Sequence, residues 1–81
     1  MRARLTPSPT VQEGEDLVST VTGGSPPVEI VWMVDGEIVA GPDPVPPESH
    51  AFDTAGYGGK VVTCVAEDVA GETVERSSTV T

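Results

Sequence analysis

The chain has a single cysteine, Cys64, among its 81 residues, so no internal disulfide can form. It has a single histidine, His50, and three aromatic residues, Trp32, Phe52 and Tyr57. With one Cys and one His, a structural zinc cluster is not expected, because such sites need several of these ligands close together. Basic residues are scarce as well. Four of them face thirteen acidic ones, for a formal charge of −9. Nucleic acid is therefore not expected as a partner, since neutralising phosphates takes clustered Lys and Arg. No stretch approaches the roughly 20 apolar residues of a membrane-spanning helix, so no membrane is expected either. Met1 to Leu5 carries charge with no apolar core after it, which argues against a secretory signal. An initiating Met and no export signal lead us to expect a free-standing product of a reducing cytoplasm, where a disulfide would be of no use.

The length allows one domain. A chain of this size buries only about 60–65% of the surface its unfolded form exposes, so its stability is thin. Any extra margin is expected from other chains. The charge is unevenly placed. Arg2 and Arg4 lie at the N-terminus, and beyond them only Lys60 and Arg76 stand against all thirteen acids. A solvated acidic surface that keeps the protein soluble explains most of this. The basic start suggests in addition a tether, residues 1–9, on a domain of residues 10–81.

Eight prolines and nine glycines cut the chain into pieces too short for helices. Between the breaks β-branched residues alternate with polar ones, the mark of short strands in a sandwich or barrel. Pro7 and Pro9 make the first piece an edge strand or arm, because proline cannot donate to a ladder. Leu17 to Thr22 alternates, with Leu17, Ser19 and Val21 on one face. Val28 to Val34 is the most apolar strand and puts Val28, Ile30, Trp32 and Val34 together. Asp35-Gly36 is the strongest hairpin signal, with Glu37 to Val39 returning. Gly41 to Pro47 holds four prolines in seven residues and is expected to be an irregular crossing or short edge segment. Ser49 to Asp53, Val61 to Asp68 and Thr73 to Thr81 complete about seven short antiparallel strands. Val62, Cys64 and Ala66 share one face.

These residues resemble an immunoglobulin-like domain over nearly the whole chain. The run Gly14-Glu15-x-Leu17-x-Ser19-x-Val21 is similar to the family's second strand, with Val21 where the first family cysteine usually sits. Trp32 matches the core tryptophan, and Cys64 stands at the second cysteine. The resemblance implies an immunoglobulin-like β-sandwich with Val21, Ile30, Trp32, Val62 and Cys64 in its core. It implies further that Val21 and Cys64 pack as a small apolar pair against Trp32 in place of the disulfide. Val62 occupies the position of the family's corner tyrosine. The corner from Asp53 through Gly56, Gly58, Gly59 and Lys60 to Cys64 is similar to that of immunoglobulin-like domains of bacteria and their phages, which occur in tail, fibre and capsid-decoration proteins and in bacterial surface proteins.

Catalytic chemistry is not expected. Cys64 lies on the apolar face of a strand without a polar setting to activate it, and His50 has no partners in sequence for a triad. Glu67, Asp68, Asp53 and Glu72 lack the spacing of a calcium loop and are read as solvated carboxylates beside a hairpin. No cofactor is expected. Arg2 and Arg4 on the N-terminal arm and Tyr57 on a glycine-rich loop are the candidate partner-binding residues. The proline-free last strand offers strand addition between copies as a route to an oligomer. The resemblance implies a non-enzymatic virion accessory protein, made in the host cytoplasm and binding the major capsid protein or another virion protein, with weak host-surface contact as an added role. A bacterial surface adhesion module and a phage tail accessory protein are the alternatives.

Overall fold

The computed structural model describes all 81 residues, in eight strands and no helix. They are β1 (Arg2–Thr6), β2 (Thr10–Val11), β3 (Asp16–Thr22), β4 (Val28–Val34), β5 (Glu37–Val45), β6 (Ser49–Asp53), β7 (Val61–Glu67) and β8 (Thr73–Val80). Two sheets form, of order β1-β3-β6 and β2-β8-β7-β4-β5. One core lies between them, giving a sandwich-like arrangement.

Alternation builds that core. A strand sends successive side chains to opposite faces, and one parity of each strand is apolar here. Leu17 and Val21 of β3, Val28, Ile30, Trp32 and Val34 of β4, and Val62, Cys64 and Ala66 of β7 are all buried. Leu5, Val11 and Val80 join them in a single cluster. Trp32 stacks on Phe52 of the opposite sheet, with ring centroids 5.1 Å apart, and Tyr57 tilts against the far side of Phe52 at 5.5 Å. All three aromatics thus form one line from the core toward the surface. Each such pair is worth about 0.5–1.5 kcal/mol beyond the area it buries.

The strand count is eight where about seven were expected, because the N-terminal piece divides at its prolines. β1 runs antiparallel to β3 from Arg2↔Thr22 to Thr6↔Val18. After Pro7 and Pro9 the chain crosses to the other sheet, where β2 pairs with Thr79 and Val80 of β8 in parallel. The expectation of purely antiparallel strands fails at this one ladder. Residues 1–9 are also held to the domain at several points. Leu5 is buried, Ser78 donates from Oγ to the Pro7 carbonyl at 2.9 Å, and the Thr79 amide donates to the Pro9 carbonyl at 2.9 Å. The amino terminus pairs with Glu72 at 3.0 Å.

The proline-rich stretch continues β5 instead of forming a separate crossing. Glu29↔Pro44 and Val28↔Val45 lie in register with β4, after a bulge opposite Ile30 to Trp32. This is permitted because β5 is an edge strand, so Pro42 and Pro44 need no second partner. Gly41 makes the bulge feasible. Its φ is +89°, and a Cβ there would stand 2.6 Å from the Ile30 carbonyl oxygen.

Every buried side-chain nitrogen and oxygen has a hydrogen-bond partner. Thr54 is fully buried, and its hydroxyl accepts from the Gly14 amide at 2.9 Å while donating to the Glu15 carbonyl at 2.6 Å. It fastens the turn before β3 to the corner after β6. Asp68 is buried too, which corrects its reading as a solvated carboxylate. It accepts from the Ser25 amide at 3.0 Å and the Glu72 amide at 2.9 Å, joining the β3–β4 loop to the β7–β8 turn.

Candidate protein-binding surfaces

Arg2 and Arg4 are exposed on the outer side of β1, beside Thr22 and Thr20 of β3. The two ion pairs of the molecule, Met1–Glu72 and Lys60–Asp35 at 3.6 Å, involve neither of them. Both belong to a strand rather than to a loose arm. Tyr57 is at the other end of the sandwich, just beyond β6, whose Asp53 is opposite Asp16 at the start of β3. The length of β3, roughly 20 Å at the usual strand rise, separates the two ends. The structure therefore does not gather Arg2, Arg4 and Tyr57 into one site. Tyr57 is half-buried against Phe52 and borders a shallow dent with Val34, Asp35, Val39 and Lys60.

Cys64 is buried, and its thiol donates to Ser19 Oγ at 3.2 Å. Burial raises the thiol pKa, and the Ser19 hydrogen bond only partly offsets that. The group directly facing the sulfur is thus Ser19. Val21, the expected neighbour, is in the same buried cluster. His50 Nε2 bonds to the Pro44 carbonyl at 3.1 Å, which ties β6 to β5. The Asp68 carboxyl is held below the usual carboxylate range, first by the Ser25 amide and then by the Glu72 and Ala70 amides, against an opposing effect of burial. No group of three or more His, Cys, Asp or Glu side chains is close enough to hold a metal ion.

The feature that sequence reasoning missed is the outer face of the five-stranded sheet. Val31 of β4 is directly opposite Val65 of β7, and both are only half-buried. Ile38 of β5, 63% exposed, and Pro42 flank them, so that a shallow apolar groove crosses β5, β4 and β7. One end of it is closed by Glu29 and Glu67, a directly opposed cross-strand pair. The signal was present in β4. Its outward positions, Val31 and Met33, are as apolar as its inward ones, which an ordinary solvated face would not require.

The outer face of the three-stranded sheet is quite different. It presents Arg2, Arg4 and Thr6, then Thr22, Thr20, Val18 and Asp16, with Ser49, Ala51 and Asp53 opposite on β6; Ser49 bonds Thr20 at 3.1 Å. That face is mostly hydrophilic, with Val18 and Ala51 its exposed apolar pair.

Set against family models, curated proteins and solved structures, the chain gives no significant match.

Proposed function

We propose that this chain is a non-enzymatic, immunoglobulin-like protein-binding module that serves as an accessory protein of a phage particle, most simply as a decoration on the capsid lattice. The observation that carries the binding role is the apolar groove of Val31, Val65, Ile38 and Pro42, left open to water on one side of the sandwich. The groove suits contact because its apolar floor lies beside carboxylates that take part in no ion pair. A non-enzymatic role accords with the chemistry of the reactive groups. Cys64 is buried with its pKa raised, and the only His side chain is bonded to a backbone carbonyl.

The immunoglobulin-like reading is supported by the β1-β3-β6 and β2-β8-β7-β4-β5 sheet orders. Trp32 at the centre of β4 and Cys64 opposite it on β7 add to that support. The virion reading rests on the resemblance of the Asp53–Cys64 corner. Its mechanism is attachment by the rigid outer face of the five-stranded sheet, which leaves Arg2 and Arg4 of β1 on the opposite side of the sandwich. Modest affinity per copy suffices, because repetition on a lattice multiplies it.

The test is quantitative mass spectrometry of purified phage particles from the source lysate. A stoichiometry comparable to that of the major capsid protein supports a decoration role. A few copies per particle moves the protein to the tail or a vertex. Absence from particles overturns the virion reading and favours an adhesion module.

A further inference from the structure

Glu29 and Glu67 are placed directly opposite each other on neighbouring strands, both exposed. Like charges in that position destabilise a sheet. Glu75 is directly across from Val65 on the other side of β7 and is also exposed, so a third carboxylate neighbours one of the residues that line the groove. None of the three takes part in an ion pair. A purely structural surface would gain by replacing any of them with Lys or Thr. The combination of an apolar floor with an uncompensated acidic rim is instead the complement of a particular kind of partner surface.

We propose that this groove, on the outer face of β5, β4 and β7, docks a protein segment that presents an apolar side chain between basic ones. The apolar residue would rest on Val31 and Val65 between Ile38 and Pro42. The flanking Arg or Lys would relieve the Glu29–Glu67 repulsion and reach toward Glu75. A second copy in the same orientation does not fit, because it would set six carboxylates face to face. The net charge of −9 acts in the same sense. It steers a basic partner toward the molecule and opposes self-association. The inference rests on the binding role proposed above and names the partner's chemistry. It does not depend on that partner being in a virion.

The experiment is an NMR titration of the intact, isotopically labelled chain with two capped peptides of equal charge, Arg-Val-Arg-Val-Arg and Arg-Ser-Arg-Ser-Arg. The expected result is saturable shifts centred on Val31, Ile38, Val65 and Thr73, with the valine peptide binding several-fold more tightly. Raising salt weakens both peptides, as screened ion pairs require. The double variant Glu29→Gln/Glu67→Gln, at exposed positions where the fold is preserved, should bind about five- to tenfold more weakly, the range for two surface ion pairs. Val65→Thr should abolish the preference for the valine peptide.

Shifts spread over the whole surface, or centred on the Tyr57 end, would overturn the proposal. Equal binding of the serine peptide would reduce it to general electrostatics and overturn it equally. Shifts that depend on protein concentration without peptide would point to a second copy as the occupant. A failed titration with the chain present in particles refutes the partner chemistry alone. A successful one with the chain absent from particles refutes only the virion reading.

Discussion

The contact between Cys64 and Ser19 allows a direct test of how β3 is seated against β7. Counting along the family-like pattern makes Val21 the counterpart of Cys64, whereas the structure puts Ser19 Oγ 3.2 Å from the sulfur. The two alternatives differ by two residues, one step along the same face of the strand. Replacing Ser19 by Cys brings two sulfurs to a similar separation, and a disulfide needs them at about 2.05 Å. The sheets must close by about 1 Å, a movement that side-chain torsions can largely absorb. The bridge would span 45 positions, for which the chain-entropy relation gives about 4 kcal/mol of stabilisation. Loss of the thiol–hydroxyl hydrogen bond subtracts about 1 kcal/mol, and strain subtracts more, leaving roughly 2–3 kcal/mol.

The assay is urea unfolding of the oxidised Ser19→Cys protein with and without reductant, alongside Val21→Cys prepared identically. With a urea slope near 1 kcal/mol/M for a domain of this size, the midpoint of oxidised Ser19→Cys should rise by about 2–3 M. Mass spectrometry should show the loss of two hydrogens in Ser19→Cys and none in Val21→Cys. If Val21→Cys forms the bridge and Ser19→Cys keeps two free thiols, β3 is displaced by two residues and the core described here is wrong.

Thr54→Val should cost about 1–3 kcal/mol in urea unfolding, because it strips the Gly14 amide of its acceptor in a fully buried place. Leu5→Ala should cost about 2–5 kcal/mol, and removal of residues 1–9 should unfold the domain by circular dichroism. A truncated protein as stable as the full chain would show that β1 is dispensable. The Asp68 carboxyl has a folded pKa below its unfolded value near 3.9. Its contribution is therefore present above that pH and is lost as pH falls through the folded value. Asp68→Asn should accordingly lower stability at neutral pH and flatten the fall in stability below about pH 5; an unchanged acid limb would refute the role of the Ser25 and Glu72 amides. Arg76 donates from Nη1 to the Glu75 carbonyl at 2.7 Å, on the side of β8 that β2 leaves uncovered. Arg76→Ala should increase self-association in sedimentation, and a variant that stays monomeric would refute this protective role.

The strands were legible wherever their parity was unambiguous. In Leu17-x-Ser19-x-Val21 and Val62-x-Cys64-x-Ala66 the inward residues are those the period of two selects, although Val18 and, on β7, Val61 and Val65 face outward. Parity alone cannot say which inward residue of one sheet meets which residue of the other. The hydrogen bond from Cys64 to Ser19, beside Val21 in the same cluster, is therefore visible only in the fold. The crossing at Pro7–Pro9 was hidden because proline marks where a ladder stops, not which sheet the chain enters next. The run of β5 through Pro42 and Pro44 was hidden for the opposite reason. Proline argues against a central strand, and nothing in the local sequence says that a strand is at the edge. Asp68 looked solvated because its partners, Ser25 and Glu72, come together only in the fold. Of the candidate binding residues, Arg2 and Arg4 were legible as a charge asymmetry, but the groove depends on which sheet face is left bare.

How the open sides are guarded explains why binding is assigned to a face and not to an edge. An unpaired strand edge invites other chains to add to it. Here β5 carries Pro42 and Pro44 along its free side, and β1 is five residues long with two arginines. β6 is equally short and is tied to Pro44 by His50, while the exposed carbonyl of Glu75 on β8 is capped by Arg76. These edges are thus short, broken or partly blocked, which disfavours strand addition. Of the two broad faces, one is chiefly threonine, serine and arginine, with Val18 beside Ala51 and an opposed Asp16–Asp53 pair at one end. The other carries the groove of Val31, Val65, Ile38 and Pro42, together with three carboxylates that take part in no ion pair. A domain this small can little spare the cost of exposed valine and isoleucine beside opposed glutamates, and the simplest physical reason to keep both is a partner that relieves both at once.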